Sequence, residues 1–209
     1  MTYNRLLTDI DRENYKVLIE DMFETVPEMM SRKIARANVQ QAFMVETILN
    51  ELLTPAATIL CVGSFEDTAS SYLKKKHGYN IVDIDPQINT DLHYYVYHYA
   101  DKFDVVFSTS VIEHVPNDES FIEDICLSLK PGGLAILTCD YNNDYQKGDI
   151  LPYSDVRFYT ENDLKFRLGK IIAKFDCALV DCPDWSGKRD FIHDGCNYSF
   201  ATYTFRKDK

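Results

Sequence analysis

A hydrophobic segment at residues 58–62 runs into a single glycine, Gly63, and a polar stretch that suits the start of a helix follows directly. A buried strand that turns through glycine into a helix is typical of α/β nucleotide sites. Asp85 follows 22 residues after Gly63, at the end of the next hydrophobic segment. Such sites keep a carboxylate at this place for the hydroxyl groups of a ribose. The pair therefore predicts an α/β fold with an adenosine-type ligand at the ends of the strands.

The turn after the first hydrophobic segment lacks the G-x-G-x-x-G pattern of dinucleotide sites. Ser64, Phe65 and Glu66 stand where a pyrophosphate needs bare backbone, and the Glu66 carboxylate would repel it. We therefore expect a ligand without phosphates, and a nicotinamide-dependent dehydrogenase is disfavoured.

Length and charge narrow the class of protein. The chain has 209 residues, which suits one domain with a sizeable core, and a formal net charge of −11, which would repel nucleic acid. No apolar run reaches membrane-spanning length and the N-terminal residues show no signal-peptide pattern, so we expect a cytoplasmic protein that does not bind a membrane. The six cysteines include no C-x-x-C pair, which favours buried thiols over a metal site.

Hydrophobic periodicity divides the chain into a helical first part and an alternating strand–helix part. Residues 12–53 have helical spacing with a break at Pro27, and we expect this extension to pack on the core or also to cover the substrate side. The remaining elements are predicted as strands at 58–62, 80–84, 103–108, 133–139, 176–182 and 197–206, and helices at 67–77, 117–129 and 160–168. The alternation of side chains in the last two strands suits antiparallel pairing, so the pattern predicts an α/β sheet with helices on both faces.

Four stretches together resemble the class I S-adenosylmethionine-dependent methyltransferases over residues 57–207. ATILCVGSFEDTAS is similar to the cofactor loop of that family, and GYNIVDIDP to its second strand with the ribose-binding acid. KFDVVFSTSVIEHVPNDESF is similar to the fourth strand and its loop, and LKPGGLAIL to the turn into the fifth strand. The family loop has two or three glycines where this chain has one.

The resemblance implies the architecture and the cofactor. We expect a Rossmann-like, doubly wound, mostly parallel seven-stranded sheet with a C-terminal antiparallel strand, in a methyltransferase domain at residues 56–209. An N-terminal helical extension or cap would occupy residues 1–55. The implied cofactor is S-adenosylmethionine, and the predicted cofactor-binding residues are Gly63, Glu66, Asp85, Asp91, Leu92 and Ser110.

Each predicted cofactor residue has a chemical reason. Gly63 lets the backbone approach the methionine part, and Asp85 accepts from the ribose hydroxyls. The family places an acid and an apolar residue, here Asp91 and Leu92, against adenine. Glu66, with its neighbour Asp67, faces the α-amino group or begins the helix.

Methyl transfer is an in-line displacement, so the protein supplies alignment and, for a hydroxyl nucleophile, a base. His114 follows the fourth strand at the mouth of the crevice and is the first candidate base. The alternative for His114 is a packing role over the cofactor. Asp140, after the fifth strand, is the second candidate.

The connection at residues 140–160 is polar, rich in tyrosine and long enough to predict a functional loop. Its predicted acceptor-binding residues are Tyr141, Arg157 and Tyr159. Arg157 suits a two-pronged contact with a phosphate or carboxylate, or an ion pair with Asp155 or Glu161 that orders the loop. A second aromatic group, two histidines among four tyrosines within residues 93–99, is interpreted as an edge strand with a packed aromatic face; its alternative is the wall of an acceptor pocket.

The predicted function is methyl transfer to a hydroxyl of a small polar acceptor, a sugar or a nucleotide-sugar. Two alternatives stay open: N-methylation of a small amine, and a non-catalytic cofactor-binding scaffold subunit. The expected partner is a hydrophilic or anionic small molecule, with neither nucleic acid, membrane nor metal, and a homodimer stays open.

Overall fold

The computed structural model describes residues 2–52 and 56–209. Its strands are β1 (Leu6–Leu7), β2 (Ile59–Val62), β3 (Ile81–Ile84), β4 (Phe103–Thr109), β5 (Leu129–Tyr141), β6 (Cys177–Leu179), β7 (Phe191–His193) and β8 (Cys196–Lys207). Its α-helices are α1 (Asp9–Asn14), α2 (Lys16–Thr25), α3 (Pro27–Met30), α4 (Asn38–Glu51), α5 (Thr68–His77), α6 (Leu92–Tyr99), α7 (Asp118–Ser128) and α8 (Gly169–Ala173). Short 3₁₀ turns form at Ala35–Ala37 and Ile112–His114, and a π-helical turn at Asp163–Leu168 precedes α8.

The sheet is parallel at its centre and antiparallel at one side. The order β3-β2-β4-β5 is parallel throughout, and β8 pairs with β5 in antiparallel orientation. The short strands β1, β6 and β7 each pair with β8. The predicted Rossmann-like fold with a C-terminal antiparallel strand is confirmed, although the described residues form eight strands and not seven. Strands of two or three residues, such as β1 and β7, are too short to show a period of two in the sequence.

The aromatic group at residues 93–99 corrects the predicted strand pattern. These residues belong to the helix α6, so the edge-strand interpretation was wrong. Asp91 caps the helix by accepting from the Tyr94 backbone N–H at 2.8 Å, and Leu92 and Val96 bury one face of it. Aromatic residues favour strands on average, but here the cap and the period-four burial decide the local structure.

Both faces of the parallel sheet are covered by helices, as a parallel sheet requires. On one face, the apolar side chains of α2, α4 and α5 pack against alternate strand residues such as Ile59 and Cys61. On the other face, α6, α7 and α8 pack against the residues between them, such as Leu60 and Val62. The alternation within β2 therefore places successive side chains in two separate cores.

The N-terminal helices share the core of the sheet. Pro27 begins α3, as the predicted break requires, and a further break at residues 31–37 separates α3 from α4. Val39 and Phe43 on α4 are fully buried in the same core as α5 and β4. The predicted helix end at residue 53 and the predicted domain boundary at residue 55 lie outside the described residues.

Candidate active site

Three adjoining cavities lie at the carboxyl ends of the parallel strands, where open α/β sheets bind their ligands. The largest, called the main cleft here, has a volume of about 520 Å³ and lies between the segment at residues 32–41, Gly63, Asp67, Asp85 and the loop at residues 109–114. The side cavity, about 270 Å³, shares Gly63, Asp85 and Val111 with it and extends to Asp91, Leu92 and Phe121. The inner pocket, about 200 Å³, shares Gln40, Ser110 and His114 with the main cleft and extends to Asp140, Asp155, Phe191, Tyr198 and Phe200.

Gly63 lies where the main cleft and the side cavity meet. It has a positive φ of 74°, and a Cβ atom at this residue would lie 2.4 Å from Cγ2 of Val111. Its N–H donates to the carbonyl of Ile84 at 2.9 Å, which ties the end of β2 to β3. Glycine is therefore required at residue 63 for two reasons: the positive φ of the backbone there and the close approach of the loop after β4.

Asp85 lies at the end of β3, where the sequence predicted the ribose-binding acid. Its carboxylate accepts from the backbone N–H of Gln87 at 2.7 Å and of Phe65 at 3.3 Å. The residue is 8% exposed and lines both the main cleft and the side cavity. The two backbone donors thus fix the carboxylate at the junction of two cavities.

Glu66 and Asp67, which the sequence predicted to face the α-amino group or to begin a helix, have different surroundings in the structure. Glu66 pairs with Arg32 and is not among the residues that line the three cavities. Asp67 lines the main cleft and caps α5 by accepting from the Ser70 N–H at 2.7 Å. Burial raises the pKa of the Asp67 carboxyl group.

The N-terminal extension packs in the core and also lines the main cleft. Arg32, Lys33 and Asn38 line the main cleft, and no sequence signal singled them out. Both polar atoms of the Asn38 side-chain amide are buried without a hydrogen-bond partner among the described residues. Unpartnered buried polar atoms are costly, so the cleft wall is suited to a polar ligand.

His114 and Asp155 form an ion pair at the inner pocket. Nδ1 of His114 lies 3.0 Å from Oδ1 of Asp155, whose side chain is 3% exposed. The hydrogen bond that His114 donates to Asp155 raises the pKa of His114 to about 9, with a further contribution from the charge of Glu113. At neutral pH the imidazole is therefore protonated, which changes the role that His114 can have.

Asp140 and Glu113 are buried carboxyl groups joined by one hydroxyl. Ser110 donates from Oγ to Oε1 of Glu113 at 2.6 Å, and the same Oγ lies 3.5 Å from Oδ1 of Asp140. Burial raises the pKa of both carboxyl groups, and the charges of Glu113 and Asp155 raise that of Asp140 further. Asp140 lines the inner pocket, whereas Glu113 lies behind it.

Two of the predicted acceptor-binding residues are committed to a structural ion pair. Arg157 contacts Oδ2 of Asp118 at 2.6 Å, and the Tyr159 hydroxyl donates to the same oxygen at 2.8 Å. Arg167 adds a third contact to it at 2.8 Å. Arg157 thus has neither of the partners considered from the sequence, Asp155 or Glu161, and we withdraw both Arg157 and Tyr159 as acceptor-binding residues.

The strands β7 and β8 supply walls of the inner pocket that sequence reasoning missed. Phe191, Tyr198 and Phe200 line the pocket beside Asp140. Tyr141 points to the other face of the sheet because it is the next residue after Asp140 in β5. No sequence signal assigned Tyr198 and Phe200 to a site, because β8 carries two further aromatic residues, Tyr203 and Phe205, that pack in the core.

The chain matches a family model described as a methyltransferase domain over residues 24–169, which is more than half of its length. The chain belongs to the class I S-adenosylmethionine-dependent methyltransferases. S-adenosylmethionine is the cofactor of this family, which confirms the predicted cofactor. No curated protein matches the chain.

Solved structures share the fold of this methyltransferase at low sequence identity. One is the 1,6-didemethyltoxoflavin-N1-methyltransferase of Burkholderia thailandensis, with 15% identity, a TM-score of 0.55, and coverage of 95% of this chain and 91% of that one. The phosphoethanolamine N-methyltransferase 2 of Haemonchus contortus has 14% identity, a TM-score of 0.54, and coverage of 79% and 52%. The [4+2]-cyclase SpnF has 15% identity, a TM-score of 0.55, and coverage of 90% and 94%.

These three likenesses concern the fold alone, and they differ in chemistry. The methyltransferase has no helix among its described residues that is long and apolar enough to cross a membrane. Within the same residues, no group of three or more His, Cys, Asp and Glu side chains is arranged to hold a metal ion.

Proposed function

We propose that this methyltransferase transfers the methyl group of S-adenosylmethionine to a hydroxyl of a small polar acceptor in the inner pocket, with Asp140 as the proton acceptor. The observation that carries the proposal is the buried Asp140 carboxyl group, which lines a pocket opening into the cofactor's main cleft. Gln40, Ser110 and His114 line both cavities, so a cofactor and an acceptor in them would be neighbours.

The cavities match the parts of the cofactor. S-adenosylmethionine supplies an electrophilic methyl group on a positive sulfur. Asp85 would hold the ribose hydroxyls, and the side cavity around Leu92 would take the adenine. In the main cleft, Asp67 would receive the α-amino group and Lys33 the carboxylate, because each has the opposite charge.

Asp140 suits proton transfer better than His114 does. A base works best when its pKa lies near the working pH, and burial moves the pKa of Asp140 upward in that direction. His114 is already protonated at neutral pH, so it has no free nitrogen lone pair with which to accept a proton beside Asp155. We therefore assign His114 the positioning of Asp155 and of the loop that carries it.

The charge of the inner pocket favours a neutral or cationic acceptor. Its lining contains Asp140, Asp155 and two histidines, His114 and His193, and no lysine or arginine. The one predicted anion receptor, Arg157, is engaged with Asp118. A sugar fits this lining, because carboxylates accept from its hydroxyl groups and the rings of Tyr198 and Phe200 can pack on its apolar face.

A small amine is the second candidate, favoured by the same surplus of carboxyl groups. An ammonium group would neutralise a buried carboxylate and then lose its proton to Asp140 before attack. Two of the structural likenesses, from B. thailandensis and H. contortus, are N-methyltransferases by name. The non-catalytic scaffold alternative predicts cofactor binding with no product from either class of acceptor.

The test is a turnover assay that follows S-adenosylhomocysteine formation with matched sets of sugars and amines. Mass spectrometry of the product identifies the methylated atom. Asp140→Asn should abolish most of the turnover and leave cofactor binding intact, whereas Asp144→Asn, an exposed acid outside the inner pocket, should change neither. Full turnover by Asp140→Asn would contradict the proposed role of Asp140, and cofactor binding without any product would favour the scaffold alternative.

A further inference from the structure

A fourth cavity lies on the opposite face of the sheet from the inner pocket. This rear cavity has a volume of about 540 Å³, and its lining includes Tyr141, Asn142, Trp185, Lys188, Arg189 and Ser199. Tyr141 follows Asp140 in β5, and Ser199 lies between Tyr198 and Phe200 in β8. Successive strand residues point to opposite faces, so the β5–β8 ladder forms the common wall of the two cavities.

Two acids and two bases line the rear cavity, and both acids have a basic partner. Asp144 is 78% exposed on its side chain and pairs with Arg189 at 3.2 Å, while Glu161 pairs with Lys165 at 3.6 Å. Among the residues that the structure describes, no hydrogen bond or ion pair engages the ammonium group of Lys188. Lys188 is therefore the one charged side chain of this lining that has no partner among the described residues.

Further donors surround this charge. One nitrogen of Arg189 donates to Oδ1 of Asn142 at 2.9 Å, and another contacts the exposed Asp144. The Arg189–Asp144 ion pair contributes little to stability, because water competes for both exposed groups. The guanidinium group is therefore free to exchange Asp144 for a better anion. The buried hydroxyl of Tyr141 also has no hydrogen-bond partner among the described residues. Burial raises the pKa of Tyr141 to about 12, so this hydroxyl stays protonated and is a donor.

We propose that the rear cavity is a second binding site, which takes a small molecule through an oxyanion group, a carboxylate or a phosphate, held by Lys188 and Arg189. An ammonium point charge beside a forked guanidinium group is the pair of donors that suits such oxygens. The site lies across the sheet from the acceptor, so it is separate from the proposed methyl transfer and does not depend on it.

Trp185 makes the test specific. It is the one tryptophan of the chain, it lines the rear cavity, and its indole N–H is fixed on the carbonyl of Thr202 at 2.9 Å. The fluorescence of Trp185 would be followed in two separate titrations, one with inorganic phosphate and one with succinate. Sodium chloride would keep the ionic strength constant in both. We expect a saturable change, with millimolar affinity, for at least one of the two anions. The stronger of the two responses identifies the group as a phosphate or a carboxylate.

Two variants and a competitor separate this site from others. Lys188→Gln should weaken binding roughly 10- to 100-fold, the usual effect of losing a hydrogen bond to a charged group. Lys170→Gln removes another exposed lysine, from α8 and outside the cavity, and should leave binding unchanged. S-adenosylhomocysteine would displace an anion from the main cleft but not from the rear cavity.

Calorimetry on the same samples covers an anion that binds without changing the fluorescence of Trp185. A response that does not saturate contradicts the proposal. So does binding that survives Lys188→Gln unchanged, binding that S-adenosylhomocysteine displaces, or the absence of both heat and fluorescence change with either anion.

Discussion

Nδ1 of His114 and Oδ1 of Asp155 lie 3.0 Å apart, and this pair links the loop after β4 to the loop after β5. The first loop borders the main cleft and the second closes the inner pocket. The N–H of Val156 donates to the carbonyl of Glu113 at 3.0 Å and adds a backbone link between the same loops. His114, which the sequence predicted as a candidate base, thus joins two loops in the structure.

The His114–Asp155 pair should make stability depend on pH. The pKa of His114 is about 9 in the folded protein and near 6.5 when unfolded, so the folded state binds more protons between these values. The contribution of His114 to the free energy of unfolding should therefore be highest below about pH 6.5 and fall as the pH rises through 9. Denaturant titrations across this window measure it. Asp155→Asn should flatten the slope; an equal slope in wild type and variant would show that another group titrates.

Asp140→Asn should lower turnover roughly 10²- to 10⁴-fold, because the variant can no longer accept a proton in the inner pocket. Cofactor affinity should stay near that of the wild type, since Asp140 lines the inner pocket and not the main cleft. Steady-state kinetics with the identified acceptor and calorimetry with S-adenosylhomocysteine measure the two effects. His114→Gln should retain far more turnover; a loss as large as that of Asp140→Asn would return the base assignment to His114.

Asp85→Ala should weaken cofactor binding by about 1.5–3 kcal/mol, the contribution of a hydrogen bond to a charged group. The matched control is Asp83→Ala in the same strand, because Asp83 bonds Ser70 and Lys74 and lines none of the three cavities. Calorimetry of both variants with S-adenosylhomocysteine decides between the two acids. A larger loss for Asp83→Ala would exchange their roles.

Gly63→Ala should impair cofactor binding through its contact with Val111. The added Cβ atom would lie 2.4 Å from Cγ2 of Val111, in a backbone conformation that costs about 1 kcal/mol for an L residue. Gly78→Ala is the matched control, since Gly78 has a similar φ of 72° and nothing within 4 Å of the added atom. Thermal unfolding and cofactor titration should show a small loss of stability in both variants and weaker binding only at Gly63. Val111→Ala should partly restore binding to Gly63→Ala; no restoration would assign the effect to the backbone alone.

Asp118→Asn should destabilise the protein by about 3 kcal/mol, the low end for a broken buried ion pair, because the partner guanidinium groups keep some exposure. Three donors, from Arg157, Arg167 and Tyr159, converge on Oδ2 of Asp118. Denaturant unfolding measures the change. Glu119→Gln removes a single exposed contact to Arg167, at 3.5 Å, and should cost less. Equal losses of stability in the two variants would mean that the three donors on Asp118 stabilise the protein no more than a single ion pair does.

The parts of the site that follow parallel strands could be predicted from the sequence, because their positions depend on local pattern. Gly63 and Asp85 each end a short apolar strand, and their spacing alone places them together at one sheet edge. Asn117, at the start of the helix predicted at 117–129, caps α7 by accepting from the Ser120 N–H at 3.2 Å. Such features can be predicted because each depends only on residues a few positions away in the sequence.

The remaining features depend on contacts between distant parts of the chain. Arg157 has acids close to it in sequence, yet its partner is Asp118, 39 residues away. The protonation of His114 depends on Asp155, which is brought to it by the fold of the loop after β5. The aromatic composition of α6 favoured a strand, and the burial of Leu92 and Val96 on one face outweighed it.

The common wall of the inner pocket and the rear cavity has a consequence for how this protein can diverge. Point substitutions at Tyr198 and Phe200 would reshape one cavity, and those at Asn197 and Ser199 the other, so each specificity can change without the other. A one-residue insertion or deletion within β8 acts in another way, because it turns every following side chain to the opposite face. It would place polar groups in the inner pocket, where the rings now lie, and aromatic rings in the rear cavity. Descendants of this chain that differ in acceptor should therefore keep the length of β8 and vary at alternate positions along it.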